Sequence, residues 1–351
     1  MKILYAIQGT GNGHVSRARD LIPAFQKQVQ TDVLISGIQA DVDLGIPVDH
    51  RLHGMGFIFG KKGNVDLIDT FRKCVTRQFI QEVREFPIRK YDLVINDFEP
   101  VSAWAARLRG VPCVSLSHQF AVLHPNAPKP EKSDWLGKMI LANYAPVQSG
   151  FGFHFQKYGE GIFSPIIRQQ VRNLEIEEED HVTVYLPAYD NEKIVKVLSQ
   201  IPGENWQVFS KHTTREFKVG NIWIKPIENQ SFIRSMASSK AVLCGAGFEA
   251  PAEAMFLGKK LMVIPMKNQF EQQCNAAALA QMGVRTLKSL KKKYVDLIKE
   301  WLWYAKPIPV DFPHEVDAIA DLVLQNAGLK SPSLHLNVSQ RLSENLIFAK
   351  G

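Results

Sequence analysis

The sequence predicts an α/β protein built from two doubly wound domains that face a cleft. Three observations lead there. Strand-like apolar runs alternate with helix-like segments from end to end, the pattern of parallel sheets. A composition shift near "YGEGIFSP" (Tyr158–Pro165) separates two such series. In each half, a buried run opens straight into a Gly-rich turn, where parallel sheets present their ligands. The length agrees, because 351 residues exceed what one hydrophobic core usually organises.

In the first half the expected strands are Ile3–Ile7, Asp32–Ser36, Leu93–Asn96 and Cys113–Ser117, with helices over Phe79–Phe86 and Ser102–Gly110. Pro23 is expected to interrupt the helix that follows the first strand. "RLHGMGFIFGKKGNVD" (Arg51–Asp66) is Gly-rich and aperiodic and reads as a long functional loop. "LHPNAPKPEKSD" (Leu123–Asp134) is a second irregular excursion. "EIEEEDH" (Glu175–His181) reads as a solvated acidic turn. The second series follows at Val182–Tyr189, Trp206–Lys211, Ile222–Ile227, Ala241–Gly247 and Lys260–Met266. These boundaries give domains 1–160 and 161–330 and a peripheral tail, 331–351.

The composition excludes several classes. Hydrophobic residues at 45% and charged ones at 22% are those of a globular chain. The four cysteines (Cys74, Cys113, Cys244, Cys274) are scattered, two of them inside strand-like runs, and have neither disulfide-frame nor metal spacing. The start reads as a strand and not as a signal peptide, and no stretch approaches a membrane span. A cytoplasmic protein is therefore expected. The net charge of +7 suits solubility or an anionic partner. Leu290, Tyr294, Leu297, Ile298, Trp301 and Ala305 recur at helical spacing beside Lys291–Lys293; packing is the first reading, peripheral contact with an anionic membrane the second. No nucleic-acid module is recognisable.

The first chemical motif is "QGTGNGH" after the first strand. It carries Gly9, Gly11 and Gly13, but His14 stands where a dinucleotide fingerprint has its third glycine, and no acid closes the next strand. An imidazole at a helix start, with an unperturbed pKa near 6.5, is a candidate general base. The helix N-terminus beneath it disfavours the charged ring and is expected to keep it neutral. Asp97, which ends the buried run "DLVIN", is expected at the same sheet edge, positioned to accept the second ring N–H.

The second motif is "AVLCGAGFEAPAEAMFLGKKLMVIPMKNQFEQQCNA" (Ala241–Ala276). A buried strand ends at Gly245 and Gly247, and a helix opens with Pro251 in its first turn. Unpaired N–H groups and the dipole make such a helix start an anion site. Glu253, six residues after Gly247, can accept ribose hydroxyls. Gln269, Gln272 and Gln273 follow the next strand and suit sugar hydroxyls.

The ordered set Gly247, Glu253, Pro265 and Gln272-Gln273 resembles the donor-binding half of GT-B glycosyltransferases, especially the peptidoglycan lipid-intermediate N-acetylglucosaminyltransferase and the UDP-glycosyltransferases. "GTGNGHVSRA" and "YDLVINDFEPVSAWAARLRGVPCVSLSHQ" (Tyr91–Gln119) resemble their N-terminal half. The resemblance implies two Rossmann-like domains and an enzyme that transfers a sugar from a nucleotide diphosphate, UDP foremost, with inversion, to an acceptor the sequence leaves unidentified, a lipid-linked or cell-envelope one among the candidates. It implies His14 and Asp97 as the catalytic pair. Donor contacts would come from Gly11, Gly13, Gly245, Gly247, Phe248, Glu253, Gln269, Gln272 and Gln273. Apart from the resemblance, Phe57 and Phe59, apolar residues in the Gly-rich basic loop Arg51–Asp66, are expected on the acceptor side, and His118 with them. No cofactor is implied, the nucleotide sugar being a substrate. "DVD" (Asp41–Asp43) imitates a metal-binding D-x-D but falls several residues past its strand, so no metal is expected. Two alternatives stay open: a nonhydrolysing UDP-sugar 2-epimerase and a noncatalytic nucleotide-sugar-binding protein of the same fold.

Overall fold

The computed structural model describes residues 1–10, 12–37, 44–55, 76–132, 134–147 and 149–328. Gly11, Phe57, Phe59, Cys74, Asp41–Asp43 and the tail from 331 lie outside the described residues.

Two sheets organise the described residues. The first is wholly parallel, from β1 (Lys2–Gln8), β2 (Gln30–Ser36), β3 (His50–Leu52), β4 (Leu93–Asp97), β5 (Cys113–Ser117), β6 (Gly150–Phe153) and β7 (Ile162–Phe163), in the order β3-β2-β1-β4-β5-β6-β7. Its helices are α1 (Asn12–Gln26), α2 (Arg77–Glu85), α3 (Pro100–Arg109), α4 (His118–Leu123) and α5 (Trp135–Tyr144). After a short α6 (Gln169–Arg172) comes the second sheet: β8 (Glu179–Tyr185), β9 (Trp206–Ser210), β10 (Phe217–Val219), β11 (Ile222–Pro226), β12 (Ser239–Gly245), β13 (Lys260–Ile264) and β14 (Arg285–Thr286). Its order is β10-β11-β9-β8-β12-β13-β14, and only the β10–β11 hairpin is antiparallel. The helices α7 (Asn191–Leu198), α8 (Asn229–Ser238), α9 (Glu249–Phe256), α10 (Phe270–Gln281), α11 (Val295–Tyr304) and α12 (Val316–Asn326) complete it.

The expected double-wound architecture is present. β1 and β4 are buried along nearly their whole length, as strands covered on both faces must be, which is why they read as continuous apolar runs. α3 shows how local chemistry sets an element's ends. Glu99 caps it by accepting from the Val101 and Ser102 N–H groups, Pro100 opens it, and Gly110 at φ +66° closes it.

Four details differ from expectation. α1 runs through Pro23 and loses one ladder bond, because Leu21, Ile22, Ala24 and Phe25 are buried around it. β8 begins at Glu179, so the acidic turn is shorter than expected and His181 is buried with its Nε2 against Ser235. The first sheet takes its last strand from Ile162–Phe163, past the 160/161 boundary. The terminal helix α12 returns to the first domain: Ile319 and Val323 share a core with Leu21 and Ile22, and Lys27 pairs with Asp317 at 3.1 Å.

On α11 the apolar stripe packs inward through Ile298, Trp301 and Leu302, whereas Leu297, Trp303 and Tyr304 are exposed. No described helix is long and apolar enough to cross a membrane.

The strand order reverses between β1 and β4 and again between β8 and β12. Chain ends diverge at such points and open a crevice at the strands' carboxyl ends. Both motifs stand there.

Candidate active site at the seam between the two sheets

Register brings the first pair together. Ile7, next to last in β1, lies opposite Asp97, the last residue of β4, so the chain leaving β1 into α1 passes Asp97 at once. His14, on the first turn of α1, places Nδ1 2.8 Å from Asp97 Oδ1. Asp97 is fully buried, and the next residue, Phe98, has φ +59° and lies parallel to the His14 ring.

Arg17, one turn further along α1, donates Nη2 to both Asp97 oxygens at 2.8 and 2.9 Å. Its Nη1 reaches Glu249 Oε1, on α9 of the other domain, at 2.6 Å. Buried charges persist only when paired in this way. Burial alone pushes Asp97 up, but the Arg17 and His14 charges and bonds outweigh it and hold the carboxyl below its usual range. Burial alone pulls His14 down, but the Asp97 charge and hydrogen bond raise its pKa above the ordinary value. This corrects the expectation that the helix end keeps the ring neutral: the carboxylate dominates.

The other ring nitrogen faces Gln119. The Gln119 amide NH₂ donates to Glu271 Oε2 at 2.9 Å, which fixes its orientation, and stands 3.3 Å from His14 Nε2. Nε2 is thus the acceptor, and the ring proton faces Asp97.

Gly13 is also corrected. A Cβ there would collide with the Glu249 carboxylate, so the missing side chain makes room for the opposite domain rather than for a ligand.

In the second half, a Cβ on Gly247 would meet nothing within 4 Å, and Gly245 is nearly as open, so the turn between β12 and α9 presents bare backbone. Glu253, one turn into α9, is 2% exposed and gripped by Arg168, with Nε to Oε1 at 2.5 Å and Nη2 to Oε2 at 2.7 Å. Arg168 is steadied by Asn229 at 2.8 Å, and the Glu253 charge outweighs burial to raise its pKa. Glu253 is therefore not the open acceptor expected, although each oxygen keeps a second lone pair.

The glutamines brace the turn after β13. Gln269 Oε1 caps α10 by accepting from Gln272 N–H, Gln272 Oε1 accepts from Met266 N–H, and Gln273 Nε2 donates to the Met266 carbonyl. The Gln272 NH₂ and the Gln273 carbonyl take no part in these bonds.

His118 and Phe248 depart furthest from expectation. His118 is 1% exposed and lies between the Phe153 carbonyl and Asn275 Oδ1, at 2.8 and 2.9 Å. Phe248 is likewise buried and stacks on it. Both belong to the interdomain packing, not to open ligand surfaces.

Arg17, Gln119, Arg168, Glu249, Glu271 and Asn275 were not singled out by sequence. Two signals existed: Arg17 stands three residues after His14 on the same helix, and Glu249 places an acid in the first turn of a helix read as an anion site. Among the described residues no three His, Cys, Asp or Glu side chains are placed to hold a metal ion. A hollow of about 280 Å³ lined by His181, Gln207 and Trp223 opens at the opposite, amino-terminal edge of the second sheet, away from the His14–Asp97 pair.

The family described as glycosyl transferase family 1 matches residues 1–303. The chain belongs to that family. Among solved structures, this family 1 glycosyltransferase is similar to the kitacinnamycin glycotransferase, at a TM-score of 0.56 and 13% identity, over 93% of this chain and 95% of that one. It is similar to MurG of Acinetobacter baumannii, at 0.53 and 14%, over 93% and 100%. It is also similar to a UDP-N-acetylglucosamine 2-epimerase, at 0.55 and 15%, over 94% and 97%. At these identities the likeness is one of fold, and the fold is GT-B. No curated protein sequence matches the chain.

Proposed function

We propose that this family 1 glycosyltransferase moves a sugar from a UDP-sugar to a hydroxyl of its acceptor, inverting the anomeric carbon. The observation that carries the reading is the His14–Asp97 pair, set at the carboxyl edge of one sheet and tied through Arg17 to Glu249, two residues past the open Gly245–Gly247 turn of the other. The diphosphate would lie on that turn and the start of α9, the ribose at Glu253, and the sugar at Gln272 and Gln273. The acceptor hydroxyl would replace the Gln119 amide at His14 Nε2. Its oxygen attacks the anomeric carbon as the bond to the β-phosphate oxygen breaks. The electron pair leaves with UDP, the proton passes to Nε2, and Asp97 stabilises the resulting imidazolium. An acceptor of lipid-linked or cell-envelope type, with peripheral contact to an anionic membrane, fits the basic chain and the exposed Trp303 and Tyr304.

A second reading, UDP-sugar 2-epimerisation, is favoured by one observation: Glu249 and Glu271 bring two carboxylates to within one side chain of His14. One set of measurements separates the two. Nucleotide sugars are screened for thermal stabilisation, where a ligand at 100 times its Kd adds about 2.7 kcal/mol. The best donor is then incubated with and without acceptors. UDP release that requires an acceptor supports transfer; a 2-epimer formed without acceptor replaces it with epimerisation.

A further inference from the structure

We propose that Arg17 is a positioning residue shared between the domains, and that its pairing with Glu249 ties the protonation of His14 to domain closure. The proposal rests on the glycosyl-transfer reading above.

Arg17 has no room to act alone. Its side chain is 2% exposed, its guanidinium carbon lies 5.2 Å from the centre of the Phe153 ring, and its planar fork is already divided. One arm spans both oxygens of Asp97, and the other holds Glu249. The first contact lies within one domain. The second exists only when the two domains meet, and Gly13 is bare where the arriving carboxylate passes.

An acid at this point needs a reason. Glu249 is in the first turn of α9, beside the open glycine turn, where a bare carboxylate would repel a diphosphate. Paired with Arg17 its charge is neutralised, so the closed protein keeps an anion site that the open one lacks.

The same pairing reaches the base. His14 faces Asp97 from β4 and Arg17 from its own helix, and beyond them Glu249 from α9 through Arg17 and Glu271 from α10 through Gln119. With Glu249 in place, part of the Arg17 charge is spent on it, and Asp97 holds the imidazole proton more firmly. With Glu249 withdrawn, the whole guanidinium bears on Asp97 and His14 loses proton affinity. His14 is thus a stronger base when the domains have closed.

The test titrates the His14 ring by NMR in the full chain, in wild type, Glu249→Gln and Arg17→Lys, without substrate. UDP affinity, kcat and the radius of gyration are measured alongside. In Glu249→Gln the His14 midpoint is expected to fall by about half a pH unit. The chain expands in solution, and kcat drops about tenfold while UDP affinity stays within about twofold. Arg17→Lys keeps the charge but not the fork, and is expected not to rescue kcat. An unchanged His14 midpoint in Glu249→Gln overturns the proposal. Tighter UDP binding with an unchanged midpoint also overturns it, and makes Glu249 a plug in the anion site. Absence of UDP binding and of transfer by the wild type overturns the transferase reading instead, and the titration still reports on the coupling.

Discussion

The imidazole of His118 lies flat on the ring of Phe248, centroids 3.9 Å apart and planes 9° from parallel. The two residues come from different domains, and Asn275, bonded to His118 and to the Ala246 carbonyl, fastens the same seam. Their role is to join the halves. Phe248→Ala is expected to cost about 3–5 kcal/mol of stability, as for other buried phenylalanines. A double-mutant cycle with His118→Ala in urea unfolding should give a coupling of about 0.5–1.5 kcal/mol. Strictly additive losses would show that the rings are merely neighbours.

Glu253 has two duties that one experiment can separate. It neutralises Arg168, whose side chain is 10% exposed, and it is proposed to bind ribose. Glu253→Gln breaks a buried pair and is expected to lower stability by about 3–5 kcal/mol. Its loss of UDP affinity, read by calorimetry, should be about 1.5–3 kcal/mol. Adding Arg168→Met removes the stranded charge, so the double variant should regain stability without regaining affinity. Wild-type UDP binding by that double variant would end the ribose assignment, leaving Glu253 a structural acid.

On the proposed assignment, Gln272→Ala should weaken binding of the sugar-bearing donor and leave UDP alone, because the Gln272 NH₂, opposite the carbonyl that accepts from Met266, is proposed to meet the sugar. Its carbonyl also braces Met266, so a melting curve is taken with the two affinities. Equal losses for both ligands at unchanged melting temperature would assign Gln272 to the nucleotide.

Transfer is expected to persist in chelator, with the diphosphate charge met by the backbone amides at the start of α9. Activity abolished by EDTA and restored by Mg²⁺ or Mn²⁺ would bring Asp41–Asp43 back as a metal site.

What sequence reveals of this protein divides along a physical line. Central strands such as β1, β4 and β12 are legible because burial on both faces demands uninterrupted apolar residues. β3, β7 and β14, two or three residues long, carry no periodicity and are fixed by neighbours in the sheet. Asp97 could be placed because it ends a buried run. The partnership of Arg17 with Glu249 could not, since 232 residues separate them and no spacing encodes the meeting of two domains. His118 and Gln273 show the converse: polar residues in a binding motif can equally be satisfied by backbone, and only the folded partner decides.

The His14–Asp97 pair sets the pH behaviour. On the proposed mechanism transfer needs neutral His14, and Asp97 raises the pKa of His14 above its ordinary 6.5. The acid limb of kcat/KM should therefore fall at a pH higher than for a free imidazole. Asp97→Asn removes the charge that raises it, so the limb should move to lower pH even as kcat drops about 10²–10⁴-fold. His14→Ala should lose a comparable factor, keep nucleotide affinity, and not add fully to Asp97→Asn. The same shifts bound stability. A raised His14 pKa contributes fully below its unfolded value and is lost as pH rises through the folded one. A depressed Asp97 contributes above its unfolded value and is lost as pH falls through the folded one. The pair therefore stabilises the fold most between the unfolded-state values of the two groups, about 4 and 6.5, and urea midpoints across pH 3–9 should show that window in wild type and a flatter profile in His14→Ala. A kcat/KM limb that stays put in Asp97→Asn would mean that Asp97 serves Arg17 alone and that the base lies elsewhere.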